Sequence, residues 1–286
     1  MESSAIDPVG FRDGQRDSWD HAAAGWKKWS EWMDRYMASV SERLVELAGV
    51  EPGSRVLDVA AGYGEPALTA ARKAGPEGSV VATDISAEML AYGRERAAAA
   101  GVDNIEFLES DANSLDLPKE SFDAAVSRWG IIFEPDGEGA AGRIRGFLKP
   151  GSRLAISSWG EPERVPFIAR PMKAALVFLG EEPPPPGTPG PLSRPTPEAI
   201  GGLLQGGGFS DVQVEEIELT MDWASPEEFS SYTKDIVAPI TKMVEAHPED
   251  VQEKTWQAIA DDIRSEADSD GSLRLTNKVL LAVGRA

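Results

Sequence analysis

The sequence predicts an α/β protein: a doubly wound, mostly parallel seven-stranded sheet with an N-terminal helical cap and helical inserts. Three observations carry that expectation. The stretch Val56-Leu57-Asp58-Val59-Ala60-Ala61-Gly62-Tyr63-Gly64-Glu65-Pro66 reads as a buried strand, a glycine turn and a helix start. A second apolar run, 79–84, ends in an acid twenty positions after Gly64, where a carboxylate can hold ribose hydroxyls. Strand-like and helix-like segments then alternate as far as residue 157.

The elements follow in order. Residues 1–17 are polar and carry Pro8, Gly10 and Gly14, so a loosely packed arm is expected there. A helix rich in aromatics follows, with Trp19, Trp26, Trp29, Trp32 and Tyr36, and it runs to Gly49. Its rings either pack the helix on the main domain or close over a flat ligand. Strand 55–60 leads into helix 66–74, where proline suits the first turn and Gly75 stops it. Strand 80–84 precedes helix 87–100, with Ser86 as N-cap and Gly101 just beyond its end. Strands at 104–109 and 122–127, a helix at 138–148 and a strand at 153–157 complete the regular part. Beyond it come a helix at 166–180, a loop rich in proline and glycine at 181–197, and a helix at 198–206. A strand at 212–219, two or three acidic helices within 225–267 and a strand at 275–283 end the chain. The expected division is an arm and aromatic cap over 1–48 and one domain over 49–286. That domain carries inserts at about 160–197 and 222–272, near the edge of the sheet.

Composition narrows the function classes. The 28 basic and 48 acidic residues give a net charge of −20, which repels a phosphate backbone and argues against a nucleic-acid partner. Zero cysteines exclude disulfides, thiolate metal sites and cysteine nucleophiles, and no metal site is expected. No apolar run reaches the ~18–20 residues of a membrane helix. The opening Met1-Glu2-Ser3-Ser4 lacks a basic region followed by an apolar one, so the expectation is a cytoplasmic protein.

Taken together, the segments at 56–64, 81–90, Ser110-Asp111-Ala112, 121–127 and 148–151 resemble the class I S-adenosylmethionine (SAM)-dependent methyltransferases. The similarity is greatest to small-molecule enzymes such as the ubiquinone/menaquinone C-methyltransferases, and it covers about residues 50–160. The resemblance implies a Rossmann-like methyltransferase fold, SAM as cofactor, and methyl transfer to a small, hydrophobic or aromatic molecule. It implies that Asp58, Ala60, Gly62 and Gly64 surround the methionine part of SAM, and that Asp84 accepts the ribose hydroxyls. Ile85 and Met89 would flank the adenine, Asp111 and Ala112 would meet its amino group, and Ser127 and Arg128 would border the methionine end and the substrate. Arg128 is there a catalytic candidate that either binds an anionic or carbonyl oxygen of the substrate or pairs with a nearby acid. Trp19, Trp26, Trp129 and Trp159 are the expected substrate walls. Tyr63 is bulkier than usual for the turn and is expected to shape its entrance. Arg128-Trp129-Gly130 stands where enzymes acting on amide or adenine nitrogens carry an Asn/Asp-Pro-Pro-aromatic motif, which disfavours those acceptors.

Two other classes compete. An NAD(P)-dependent oxidoreductase fits the glycines, but Asp58 would oppose a pyrophosphate and no Tyr-x-x-x-Lys pair follows the fourth strand. A non-catalytic SAM-binding module keeps the same three acids. If the acceptor must lose a proton, a histidine is the natural base at neutral pH. Of the two histidines, His21 lies on the cap and is the candidate, whereas His247 at an acidic helix end reads as structural.

Overall fold

A computed structural model of the protein describes residues 8–185 and 187–286. Helices α1 (Pro8–Lys28) and α2 (Ser30–Ala48) precede the sheet. The first half alternates β1 (Arg55–Val59), α3 (Ala67–Ala74), β2 (Ser79–Asp84), α4 (Ala87–Ala99), β3 (Ile105–Glu109) and β4 (Phe122–Arg128). Then come α5 (Gly137–Phe147), β5 (Leu148–Trp159), α6 (Pro166–Leu179), α7 (Pro197–Gly206) and β6 (Ser210–Trp223). Helices α8 (Pro226–Ile236), α9 (Ala238–Glu245) and α10 (Glu249–Ile263) lead to the last strand, β7 (Leu273–Arg285). The seven strands lie in the order β3-β2-β1-β4-β5-β7-β6, and β7 alone runs antiparallel to its neighbours. This is the Rossmann-like methyltransferase architecture.

The alternation of side chains along each strand sorts the core into two layers. Val56, Val80, Ala82, Ala124 and Val126 face α2 and α3, where Met33, Met37, Val40 and Leu44 meet them. Leu57, Val59, Val81, Ala125, Leu154 and Ile156 face the other way, onto Ala140, Ile144 and Phe147 of α5 and Ile200, Leu203 and Leu204 of α7. Asp58 follows the parity of Val56, so its carboxylate is carried to the α2–α3 side with no exposure to solvent. Ser86 caps α4 as its position suggests, accepting the Met89 N–H at 3.0 Å.

One expectation needs correction. The arm expected over 1–17 is helical from Pro8 onward, residues 1–7 lying outside the described chain. Proline at a helix start forfeits only an N–H with no partner there, and Arg12, Asp20 and Lys27 tie the helix to the body. The inserts lie against the last two strands at the sheet edge, α6 meeting β7 and α8 meeting β6, and they also reach the cap. Helices α6, α8, α9 and α10 gather beside the cap, where Phe167, Trp223, Phe229 and Tyr232 pack with Trp29 and Trp32. Among the described residues, no helix is long and apolar enough to cross a membrane.

Candidate functional site

At the carboxyl end of β1 the chain turns through Ala60, Gly62 and Gly64, all at positive φ (58°, 53° and 101°). A Cβ on Gly62 would meet no atom within 4 Å, so this backbone borders open space. Gly64 is needed for packing instead: its Cβ would stand 3.3 Å from Gly93 Cα on α4. Asp84, ending β2, accepts the Gly62 N–H at 2.8 Å and the Ser86 N–H at 2.9 Å. Burial pushes its carboxyl up to about 6, opposed by those N–H groups. The turn and the acid thus form one wall of a single cavity.

Three further carboxyls lie at this end of the sheet. Asp111 accepts the N–H groups of Asn113 and Ser114, both at 3.0 Å, and its other oxygen faces Arg12 Nη1 at 3.4 Å. Glu134 takes the Asn113 amide at 2.8 Å, and burial raises its carboxyl above the ordinary range. Asp58 lies under the turn with both carboxylate oxygens buried and without a hydrogen-bond partner. Burial raises its carboxyl well above the usual range, against the pull of the Arg128 charge. An orphaned buried carboxylate next to an open glycine cradle is suited to the ammonium of an amino-acid moiety. The residues present therefore fit the methionine part of SAM.

Past the turn the cavity becomes apolar. Trp129 stacks on Trp159 with ring centroids 4.5 Å apart and planes 7° from parallel, and Phe167, Ile236 and Pro239 continue the wall. Trp129 holds φ 53°, which a bulky aromatic adopts only under constraint. Its N–H donates to Ser157 Oγ at 2.9 Å. The following residue has to be glycine, because a Cβ on Gly130 would fall 2.4 Å from that of Ala60. Arg128, at the end of β4, is buried, donating to Ser41 Oγ at 2.9 Å and to the Tyr63 hydroxyl at 3.1 Å.

Of the residues singled out in the sequence, Ala60, Gly62, Asp84, Ile85, Met89, Asp111, Ala112 and Arg128 line this cavity, with Trp19, Trp26, Trp129 and Trp159. Others are elsewhere. Ser127 is buried behind the wall, where its Oγ accepts the Ile131 N–H at 3.1 Å. Gly64 and Asp58 stand behind the turn and not at its surface. Tyr63 lines the cavity but is only 1% exposed, wedged between Trp26, Arg96 and Arg128. His21 is displaced most. Its ring points away from the cavity to Glu245 on α9, 3.2 Å away, with 66% of the side chain exposed, because Trp19 and Trp26 take the inward face of α1. Phe11, Arg12 and Gln15 on α1, Phe133 and Glu134 after β4, and Val237 and Ala238 at the start of α9 line the cavity unanticipated. The spacing 11, 15, 19 already put Phe11 and Gln15 on one helical face with Trp19, had Gly10 and Gly14 not been read as breakers.

The methyltransferase domain family matches residues 56–151. The chain is 40% identical over 119 residues to the ubiquinone/menaquinone biosynthesis C-methyltransferase UbiE of Pseudomonas putida, which covers 41% of this chain and 46% of that one. The chain thus spans less than half the length of the curated relatives it matches. Among solved structures, the YcgJ protein from Bacillus subtilis superposes with a TM-score of 0.57 at 18% identity, covering 86% of this chain and 98% of the other. Phosphoethanolamine N-methyltransferase 2 of Haemonchus contortus, solved with S-adenosyl-L-methionine, gives 0.53 at 18% identity, covering 89% of this chain and 59% of that one.

Proposed function

We propose that this chain, whose central segment is a methyltransferase domain of the class I SAM-dependent type, transfers a methyl group from SAM to a small, apolar or aromatic molecule. The observation that carries the reading is the wall shared by the 60–64 turn and the Asp84 carboxylate, continuous with an aromatic chamber. When bound, SAM supplies a methyl group already activated on a sulfonium.

The chain's own residues then bind and orient. The turn holds the amino-acid end, and the Asp58 carboxyl enclosed beneath it favours the ammonium through space. Asp84, fixed by two backbone N–H groups, accepts the ribose hydroxyls, and Ile85 and Met89 flank the base while Asp111 faces its amino group. In this assignment Arg12 shares Asp111 with the base. Beyond the sulfur, Trp129, Trp159 and Phe167 give a flat acceptor an aromatic wall that excludes water. Holding nucleophile and methyl carbon in line in this way supplies up to ~7–11 kcal/mol of barrier reduction. Asp58 disfavours a dinucleotide, whose pyrophosphate would meet another negative group there. The net charge of −20 disfavours a nucleic-acid acceptor and favours a small molecule.

The test is calorimetric titration with S-adenosylhomocysteine and, separately, with NAD. Binding of the first and not the second is expected. Binding of NAD alone, or an Asp84→Asn protein that keeps the full affinity for S-adenosylhomocysteine, refutes the assignment.

A further inference from the structure

Arg128 is a buried cation whose hydrogen bonds go only to neutral partners. Its side chain ends among the Ser41 hydroxyl at 2.9 Å, the Tyr63 hydroxyl at 3.1 Å, and the rings of Tyr63 and Trp129, whose centroids lie 5.5 and 5.6 Å from its Cζ. The nearby acids do not pair with it directly. Glu65 accepts from the Thr69 hydroxyl at 2.7 Å and lies 4.0 Å from Arg72. Asp58, whose side-chain oxygens have no hydrogen-bond partner among the described residues, acts on Arg128 only through space. A guanidinium remains charged at any ordinary pH, and taking a charge out of water is costly unless an opposite charge meets it. Five N–H donors in a planar fork are available on such a group, and two contacts with hydroxyls leave the rest for a ligand.

The position of this cation decides what it can receive. Arg128 lines the cavity where the glycine turn gives way to the aromatic chamber, next in sequence to the strained Trp129. A molecule stacked along Trp129 and Trp159 therefore has an apolar body and, at one end, a buried positive charge. We propose that the acceptor is a flat apolar acid whose anionic oxygen, a carboxylate or an ionised hydroxyl, lies against Arg128 and is itself methylated. This deepens the methyltransferase reading and rests on it.

Charge chemistry favours the same assignment. An oxygen lone pair forms the O–CH3 bond as the CH3–S bond breaks, and the electron pair of that bond passes to sulfur. Oxyanion and sulfonium both become neutral, and no proton leaves in the step. A reaction that destroys a pair of opposite charges gains from a chamber of low dielectric, where those charges are poorly solvated. Arg128 keeps the acceptor ionised, so the outward orientation of His21 costs the reaction nothing.

The experiment compares naphthalene probes of one shape on protein saturated with S-adenosylhomocysteine, read by quenching of the chamber tryptophans. The probes are 2-naphthoate, an ionised nitronaphthol and the neutral 2-naphthamide. In the natural protein at least one anion is expected to bind about tenfold or more tightly than the amide, and the preferred anion identifies the carboxylate or the hydroxyl. Arg128→Met is expected to abolish that preference while leaving amide binding within about twofold, and Arg128→Lys to keep part of it. Equal binding of all three probes overturns the proposal. So does a preference that survives Arg128→Met, and so does an Arg128→Met protein that loses affinity for S-adenosylhomocysteine alone, which assigns the cation to the cofactor carboxylate. If Arg128→Met fails to fold, the comparison of anion with amide on the natural protein decides. Failure of the natural protein to bind S-adenosylhomocysteine refutes the function itself and is recognised before any probe is added.

Discussion

Removing one oxygen atom tests how the cap is joined to the glycine turn. The Tyr63 hydroxyl accepts from Arg128 at 3.1 Å and donates to Asp34 on α2 at 3.3 Å, with the phenol buried. Tyr63→Phe keeps the ring against Trp26 and Arg96 and deletes only these two bonds. They are not worth the same. Asp34 is 41% exposed and already paired with Arg96, so water and that guanidinium replace the lost donor at almost no cost. Arg128 is buried apart from its edge on the cavity, and a hydrogen bond to a buried charge contributes ~1.5–3 kcal/mol. The expected loss is ~2 kcal/mol, or roughly 4–8 °C in melting temperature for a chain of this size. Urea and thermal unfolding followed by circular dichroism measure it. A loss below ~0.5 kcal/mol would mean that Arg128 does not depend on Tyr63, and the account of the network would fall.

Further expectations concern the cavity. Folded Asp84 holds its proton to about pH 6, whereas an unfolded aspartate releases its own near ~3.9. The empty folded protein therefore binds more protons between those limits, and this group's contribution to stability declines as pH rises across them, by at most about 3 kcal/mol. Since only the carboxylate accepts two ribose hydroxyls, affinity for S-adenosylhomocysteine should fall about tenfold per pH unit below 6 and level off above it. Calorimetry across pH 5–8 with Asp84→Asn as control checks both the slope and its disappearance. Gly130→Ala sets a Cβ 2.4 Å from the Ala60 Cβ and 2.8 Å from Ser127 Oγ, and should lower stability by ~1–3 kcal/mol in denaturant titration. An unaltered midpoint would show that the ends of β1 and β4 are not locked together. His21→Ala, at an exposed ion pair, should leave methyl transfer unchanged and move the melting temperature by no more than about 2 °C. A large fall in turnover would restore His21 as the base.

The sequence by itself determined the sheet and its ligand-facing turn, because both depend on local chemistry. Alternation at Val56-Leu57-Asp58-Val59 assigns each side chain to a face, glycines mark the backbone at positive φ, and an acid ending the next strand is placed by a βαβ unit of ordinary length. Tertiary structure decided which of the remaining polar groups meet the cavity. His21, Trp19 and Trp26 share one helix, and only the rotation of that helix on α4 and α9 turned the rings inward and the imidazole out. Arg12 met Asp111 across 99 positions and Arg128 met Ser41 across 87, separations at which sequence spacing carries no information about distance. Likewise the apolar end of the chamber is closed by α6, α8 and α9, whose amphipathic patterns show that they bury a face but not what they bury it against.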